Sequence, residues 1–267
     1  MASSTDAAPP LVLYDIASGP PRRTFAPNPW KSRLALNFKS ASYSTNWVEL
    51  PDVTETRKAL GVAAIRKFPD GTDFYTLPVL HDKPAKHFVG DTYDIALYLD
   101  DKFPDGPRLI PRGMEGVMKM WNDQVDQLFT RFIQLIAATF PFNPANAEKT
   151  KKIFMERSLL FRGITDEAEK KRMTWDDIDV KGHERVALMA DFKKALNDFE
   201  AYYKYSPDKE GPFLNGKEPD YADFIVGSWL GSYHQALPAD DLAELKKWND
   251  GRWTRIWQGL ERFTELK

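Results

Sequence analysis

The first hundred residues alternate between short apolar runs and segments with helical spacing of apolar positions. "LVLYDI" predicts a first strand, and "NWVELPDV", "DFYTLPVLHD" and "KHFVG" predict three more. Helices are predicted over "PNPWKSRLALNFK", over "TETRKALGVAAI", which Gly61 interrupts, and over "DTYDIALYLDDKFP". The order β-α-β-α-β-β-α predicts a small α/β domain over residues 11–105, preceded by a disordered lead-in at residues 1–10.

After "FPDGPRLIPRG" the strand-like runs stop and helical periodicity continues to the end of the chain. "EGVMKMWNDQVDQLFTRFIQLIAATF" predicts one long amphipathic helix over residues 115–140, and "HERVALMADFKKALNDFEAYYKYS" predicts a second helix. The mostly apolar "DYADFIVGSWLGSYHQAL" predicts a third, central helix. We therefore expect an all-helical domain over residues 112–267.

Composition narrows the possible functions. The net charge of -2, without long runs of one sign, disfavours a nucleic-acid or anionic-membrane partner. The absence of cysteine excludes disulfides, thiolate metal sites and a cysteine nucleophile. Glycine-rich phosphate loops are absent, and the start of the sequence and its apolar runs predict a cytoplasmic protein without a membrane span. No metal site is expected, because the spacing of the four histidines does not suit one: His81, His87, His183 and His234.

The run "TLPVL" places Pro78 inside an apolar strand, where it cannot donate to the ladder. Such a proline belongs at an edge, at a strand start or in a cis bend. With a cis Leu77–Pro78 bond, the backbone of Val79 would be free to pair with an extended, peptide-like ligand. An edge-strand proline without a function is the alternative.

The segment "GDTYDIALYL" begins a predicted helix at Asp91 or Thr92. The free N–H groups of a helix start favour a carboxylate, and the Asp91 side chain beside them can bind an ammonium group. The two features together suit the amino-acid end of a ligand. A simple helix cap is the alternative.

In "FAPNPW", Pro27 and Pro29 suit the first turn of a helix, and the N–H of Asn28 between them stays available. A helix N-terminus lowers the pKa of a nearby thiol. A thiol ligand anchored at Val79 and Asp91 would therefore be held here as a thiolate.

These motifs, in this order and spacing, resemble the cytosolic glutathione transferases over Leu11 to Lys267. "GPFLNGKEPDYADFIVGSWL" adds the capping box of that family at Asp220 and Asp223. "PWKSRLALNFK", "NWVELPDV", "TLPVL" and "YDIALYLDDKFPDGPRLIP" resemble the fungal-specific class A, which is related to the lignin β-etherases. The resemblance implies a thioredoxin-like domain followed by an all-helical domain, a homodimer, glutathione as co-substrate, and wood-derived polyphenols as ligands.

The resemblance also implies site residues. Glutathione would contact Val79 beside Pro78 through its cysteinyl backbone, and Asp91 with Thr92 through its γ-glutamyl end. The activating serine or cysteine of the family falls at Ala26, so this catalytic position is vacant.

Other groups could replace the missing hydroxyl. Asn28 and the helix terminus are the first candidates, because the amide donates two hydrogen bonds. Thr24 follows, and Tyr14 comes last, because its register turns it to the opposite face. Lys83 and His87 are candidates for the glycyl carboxylate.

In the resembling fold the long helix borders the cleft. Five of its residues could line a hydrophobic substrate pocket, with an interdomain or dimer core as the alternative: Met118, Trp121, Asn122, Val125 and Phe129. The implied activity is attack of the glutathione sulfur on aromatic electrophiles or peroxides, as in detoxification. A ligandin with little turnover, favoured by Ala26, and cleavage of β-aryl ethers are the alternatives.

Overall fold

The structure is a computed structural model that describes residues 8–164 and 166–267, so residues 1–7 of the predicted lead-in lie outside the described part. The N-terminal part contains six strands: β1 (Leu11–Ile16), β2 (Tyr43–Val48), β3 (Arg66–Lys67), β4 (Asp73–Phe74), β5 (Val79–Asp82) and β6 (His87–Val89). Its helices are α1 (Pro27–Phe38), α2 (Val53–Ala59) and α3 (Thr92–Lys102).

Four of these strands form one mixed sheet in the order β2-β1-β5-β6. β1 runs parallel to β2 and antiparallel to β5, and β6 is antiparallel to β5. Leu13 of β1 shares a core with Leu34 of α1 and Ile95 of α3 on one face. Val79 of β5 packs with Val53 of α2 on the other face. This arrangement confirms the predicted thioredoxin-like fold of the N-terminal part.

Two strand predictions are wrong in their bounds. The predicted strand "DFYTLPVLHD" is two strands, because β4 pairs only with β3 and β5 begins at Val79, after the proline that cannot join a ladder. β2 lies earlier than predicted, and Leu50–Asp52 forms a short 3₁₀ turn that leads into α2.

The C-terminal part is helical, as predicted. Its helices are α4 (Glu115–Thr130), α5 (Gln134–Ala137), α6 (Ala147–Phe161), α7 (Glu167–Arg172), α8 (Gly182–Glu200), α9 (Tyr221–Ala236), α10 (Ala239–Leu245) and α11 (Arg252–Leu260). α9 is buried along most of its length and packs against α1, α4 and α11, so the prediction of a central helix is confirmed. The capping box of α9 is also present: Asp220 accepts from the Ala222 N–H at 2.8 Å, and Asp223 accepts from the Asp220 N–H at 3.2 Å.

The prediction of one helix over residues 115–140 is wrong. α4 ends at Thr130, and the turn at residues 131–133 separates it from α5. Phe132 in this turn is buried against Phe192 of α8, with ring centroids 4.9 Å apart. Since no proline or glycine marks this break, we attribute it to packing of Phe132 into the core.

His234 near the end of α9 makes stability depend on pH. Burial lowers its pKa from 6.5 to about 4, and its Nε2 atom has no hydrogen-bond partner among the described residues. Between these values His234 binds more protons in the unfolded chain than in the folded chain, so its contribution to stability falls as the pH drops below 6.5. Between pH 7.5 and 5, we expect wild type to lose about 1–2 kcal/mol of unfolding free energy relative to the His234→Gln variant, measured by urea denaturation. Equal changes in both proteins would contradict this assignment.

Candidate functional site

The N-terminus of α1 lies at the centre of the candidate site. Ala26 is the N-cap residue and has no side chain that could cap the helix. Of the first three helical positions only Asn28 has an N–H group, because prolines occupy the other two. The side-chain amide of Asn28 is half-buried and has no hydrogen-bond partner in the described part of the chain. The helix therefore offers one backbone donor and one side-chain amide to a ligand, with the positive end of its dipole behind them.

The segment before α1 is held in place by α9. The Ser232 hydroxyl donates to the Phe25 carbonyl at 2.7 Å, and the Gln235 amide donates to the Thr24 carbonyl at 2.9 Å. Both contacts cross from the helical domain to the residues directly before Ala26. They fix the backbone directly before Ala26 relative to both domains.

Thr24 is unavailable to a ligand. Its hydroxyl is fully buried, donates to Asp15 at 2.6 Å and accepts from the Arg33 guanidinium at 2.6 Å. Arg33 also pairs with Asp15 at 3.0 Å, and neither side chain is exposed. Burial raises the pKa of Asp15, and the Arg33 charge opposes that rise. The sequence prediction that Thr24 could replace the missing hydroxyl is therefore wrong.

The peptide bond between Leu77 and Pro78 is cis. β5 begins directly after it, where Val79 pairs with Tyr14 of β1, and the register with β6 starts at Leu80. Leu77 and Val79 are 1% and 0% exposed. Val79 is thus already part of the sheet, while Leu77 lies outside the registers of the described strands.

Aromatic side chains of the helical domain cover this edge. Phe142 and Phe154 pack against the apolar cluster that contains Leu77 and Val79. Tyr14 packs against the same cluster. Its side chain lies on the α2 face of the sheet, opposite the face that α1 covers.

Asp91 caps α3 and accepts from the Tyr93 N–H at 2.7 Å. Thr92 is nearly buried, and its carbonyl accepts from the Tyr221 hydroxyl of α9 at 2.8 Å. Lys31 of α1 and Arg57 of α2 both interact electrostatically with Asp91. The half-buried carboxylate thus lies at a helix start, within the field of two buried cations.

Arg57 connects the two segments that the sequence assigned to glutathione. It is fully buried and donates to three backbone carbonyls: those of Ala63, Thr76 and Gly90. Thr76 directly precedes Leu77 and its cis bond, and Gly90 directly precedes Asp91. A side chain at Gly90 would lie 2.5 Å from the guanidinium, so glycine is required for this close approach.

Four of the five predicted pocket residues of α4 are buried and Trp121 is half-buried, so the structure corrects their placement. Val125 and Phe129 are fully buried, and Phe129 stacks on Trp229 at 5.7 Å. Met118 is also buried, and Trp121 packs on Phe199 at 5.1 Å while its Nε1 donates to a backbone carbonyl of α9. These side chains pack between α4, α8 and α9 inside the helical domain, which is neither the predicted pocket nor the interdomain or dimer core given as the alternative.

Asn122 belongs to a buried polar network between the domains. Its side-chain oxygen accepts from Lys31 at 3.0 Å, and Asp126 pairs with the same ammonium group at 2.6 Å. Asp126 also accepts from the Trp229 indole at 2.7 Å. Burial lowers the pKa of Lys31, and the Asp126 charge opposes this effect. The network joins α1 to α4 and α9 and so stabilises the helix that carries the site.

The aromatic surface beside Ala26 comes from other residues. Phe25 packs against Phe140 at 5.5 Å and Phe142 at 6.0 Å. Phe154 contacts both of these rings, and Trp175 extends the group at 5.9 Å from Phe154. We call these five side chains the aromatic cluster. Sequence reasoning missed it, although the closely spaced phenylalanines of "TFPFN" were a usable signal.

Lys83 and His87 lie at the wrong end of the sheet for a ligand at α1. His87 pairs with Asp82, which is opposite Leu11 at the start of β1. The α1 terminus follows the other end of β1, beyond Ile16. Both candidates for the glycyl carboxylate therefore lie at the end of β1 opposite to the α1 terminus.

The described residues contain no group of three or more histidine, aspartate or glutamate side chains arranged to hold a metal ion. Within the same residues, every helix is too short or too polar to cross a membrane.

Comparison with known proteins identifies the family. Residues 126–263 match the model of the glutathione S-transferase C-terminal domain. A glutathione S-transferase-like protein of Aspergillus flavus, ustS, is 25% identical over 96% of this chain and 91% of its own length. A glutathione S-transferase of Ceriporiopsis subvermispora, solved in complex with glutathione, is 26% identical with a TM-score of 0.81, over 96% of this chain and 99% of that one. The glutathione transferase GSTFuA2 of Phanerochaete chrysosporium is also 26% identical, with a TM-score of 0.80 over 97% and 99% of the two chains. Because the family model spans more than half of the chain, this protein belongs to the glutathione S-transferase family.

Proposed function

We propose that the protein is a glutathione transferase that stabilises the glutathione thiolate at the N-terminus of α1 and conjugates it to hydrophobic or aromatic electrophiles. The observation that carries this proposal is the free amide of Asn28, three residues after Phe25 of the aromatic cluster. A thiolate needs hydrogen-bond donors, and an aromatic electrophile needs an apolar surface next to them.

In the proposed binding mode, the γ-glutamyl end of glutathione contacts Asp91 and Thr92. Since Val79 already pairs with Tyr14, we propose Leu77 as the residue whose backbone pairs with the cysteinyl group, next to Pro78. Leu77 is almost fully buried, so its backbone must become accessible when the ligand binds.

The chemistry requires only deprotonation of the bound thiol and its correct orientation. The thiol proton leaves to water, the Asn28 amide donates to the sulfur anion, and the sulfur attacks the electrophilic carbon as the leaving group departs with its electron pair. No residue of the protein becomes covalently modified.

We expect Asn28→Ala to raise the pKa of bound glutathione by about one unit, because the thiolate loses its side-chain donor. The ultraviolet absorbance of the thiolate measures this pKa in a titration of the complex. Conjugation of a generic aryl halide should fall about tenfold in kcat/KM. Asn46→Ala, at an exposed position of β2, is the matched control. A variant with unchanged thiol pKa and unchanged rate would rule out Asn28 as the donor.

The second candidate function is a ligandin that binds aromatic compounds with little turnover. Ala26 favours it, because the position of the activating hydroxyl is vacant. Displacement of a fluorescent naphthalene dye, measured beside the conjugation assay, separates the two functions. If the protein binds the dye and the thiol pKa of bound glutathione equals that of free glutathione, the protein is a ligandin.

We also propose that the protein is a homodimer, supported by Val117 and Met120 on the outer face of α4, which are 49% and 61% exposed. Light scattering on the same sample tests this, and the mass of a single chain would overturn it.

A further inference from the structure

A cleft of about 260 Å³ lies between α2, β4 and α6, outside the aromatic cluster. Pro51, Thr54 and Tyr75 bound it on the side of the N-terminal domain, and α6 bounds it with Arg157 and its neighbours. The ring of Phe74 from β4 completes an apolar wall. The cleft therefore combines an apolar surface with a single guanidinium from the helical domain.

Arg157 has few partners in this cleft. Its guanidinium is 3.4 Å from the Thr54 hydroxyl and 5.5 Å from the centroid of the Phe74 ring. No carboxylate of the described residues is in salt-bridge contact with it. Burial lowers the pKa of Arg157, which means that its charge is partly desolvated without a counter-ion. Such a guanidinium binds a carboxylate strongly when one arrives.

Two acidic residues also line the cleft, and neither is in salt-bridge contact with Arg157. Asp73 is paired with Lys67 at 3.3 Å, and Glu156 is an exposed residue. A second guanidinium, that of Arg66, lies 5.3 Å from the Phe74 ring and also lacks a carboxylate contact in the described part of the chain. The surroundings of Phe74 thus favour an anion.

The position of the cleft relates it to the proposed site. Tyr75 precedes Leu77 by two residues, within about 7 Å along an extended chain. A peptide paired antiparallel with Leu77 runs toward Tyr75 in its N-to-C direction, because antiparallel partners run in opposite directions. The C-terminal carboxylate of such a ligand therefore approaches Arg157.

We propose that this cleft binds the carboxylate of a ligand and that Arg157 is its counter-ion. The carboxylate has two possible sources: the glycyl end of glutathione, in which case the inference rests on the proposed function, or an aromatic carboxylic acid whose ring packs on Phe74. Recognition is charge-assisted in both cases and requires the guanidinium fork.

The experiment compares two pairs of probes that differ only in a carboxylate: glutathione with its glycyl ethyl ester, and cinnamate with cinnamamide. Affinities are measured by calorimetry for wild type, Arg157→Gln and Arg162→Gln, the last being an exposed arginine at the end of α6. We expect Arg157→Gln to weaken one of the acids about tenfold while its uncharged analogue binds as before, and Arg162→Gln to change neither pair.

The acid that no longer binds Arg157→Gln more tightly than its uncharged analogue identifies the source of the carboxylate. The inference is overturned if Arg157→Gln still binds both acids more tightly than their uncharged analogues. It is also overturned if wild type binds neither acid more tightly than its analogue. If glutathione binds to none of the three proteins, the proposed function is contradicted. The comparison of cinnamate with cinnamamide then still decides whether the cleft binds a carboxylate. A thermal unfolding curve for Arg157→Gln that matches wild type excludes loss of fold as the cause.

Discussion

Ala26→Ser is expected to raise kcat/KM for conjugation of a generic aryl halide about 100-fold, the effect of one well-placed donor to a developing or stable anion. The serine hydroxyl would donate to the thiolate and accept from the Asn28 N–H, since one hydroxyl can do both. That N–H is the only backbone donor among the first three helical positions. The new cap should also add about 1 kcal/mol to the unfolding free energy.

Ala26→Val is the matched control, because it adds bulk without a hydroxyl. It should leave the rate at or below that of wild type, and its glutathione affinity shows whether the larger side chain fits. A rate for Ala26→Ser equal to that of Ala26→Val would mean that bound glutathione does not reach this position. The vacancy at Ala26 would then have no catalytic meaning, and the ligandin function would gain support.

Features that depend on local chemistry were predictable from the sequence. β1 follows from an apolar run and the bounds of α3 follow from an acidic cap, whereas the capping box at Asp220 and Asp223 was implied by the resemblance to the family motif. β3 and β4 were not predictable, because each has two residues and its pairing depends on the turn between them. The end of α4 at Thr130 depends on where Phe132 finds space in the core, which no local pattern encodes.

Some residues of the candidate site were predictable from the sequence and others were not, for the same reason. Ala26, Asn28 and Asp91 could be identified because proline and capping patterns mark helix starts. Lys31 and Arg57 could not, because charged residues on helices are mostly exposed and only the tertiary structure shows that both are fully buried. The pocket on α4 was misplaced since an amphipathic face looks the same whether it lines a pocket or a core.

Arg57→Lys is expected to lower the unfolding free energy by about 3 kcal/mol and to raise the KM for glutathione about tenfold, while kcat at saturating glutathione changes less than twofold. The ammonium of lysine keeps the charge but reaches about one of the three carbonyls that the guanidinium binds. The carbonyls of Thr76 and Gly90 would then lose their common partner. The segments before Leu77 and Asp91 would lose their fixed separation, and the proposed binding mode of glutathione needs both at once.

Gly90→Ala tests the same connection from the other side, because its new methyl group would lie 2.5 Å from the Arg57 guanidinium and 2.7 Å from Val62. Gly90→Ala should raise the KM for glutathione, as Arg57→Lys does. Lys58→Met, which removes an exposed charge from the next position of α2, should change stability by less than about 0.5 kcal/mol and leave KM unaltered. Urea denaturation and steady-state kinetics measure these effects. A loss of stability in Arg57→Lys with an unchanged KM for glutathione would restrict Arg57 to a structural role, because the two binding segments would then be positioned without it.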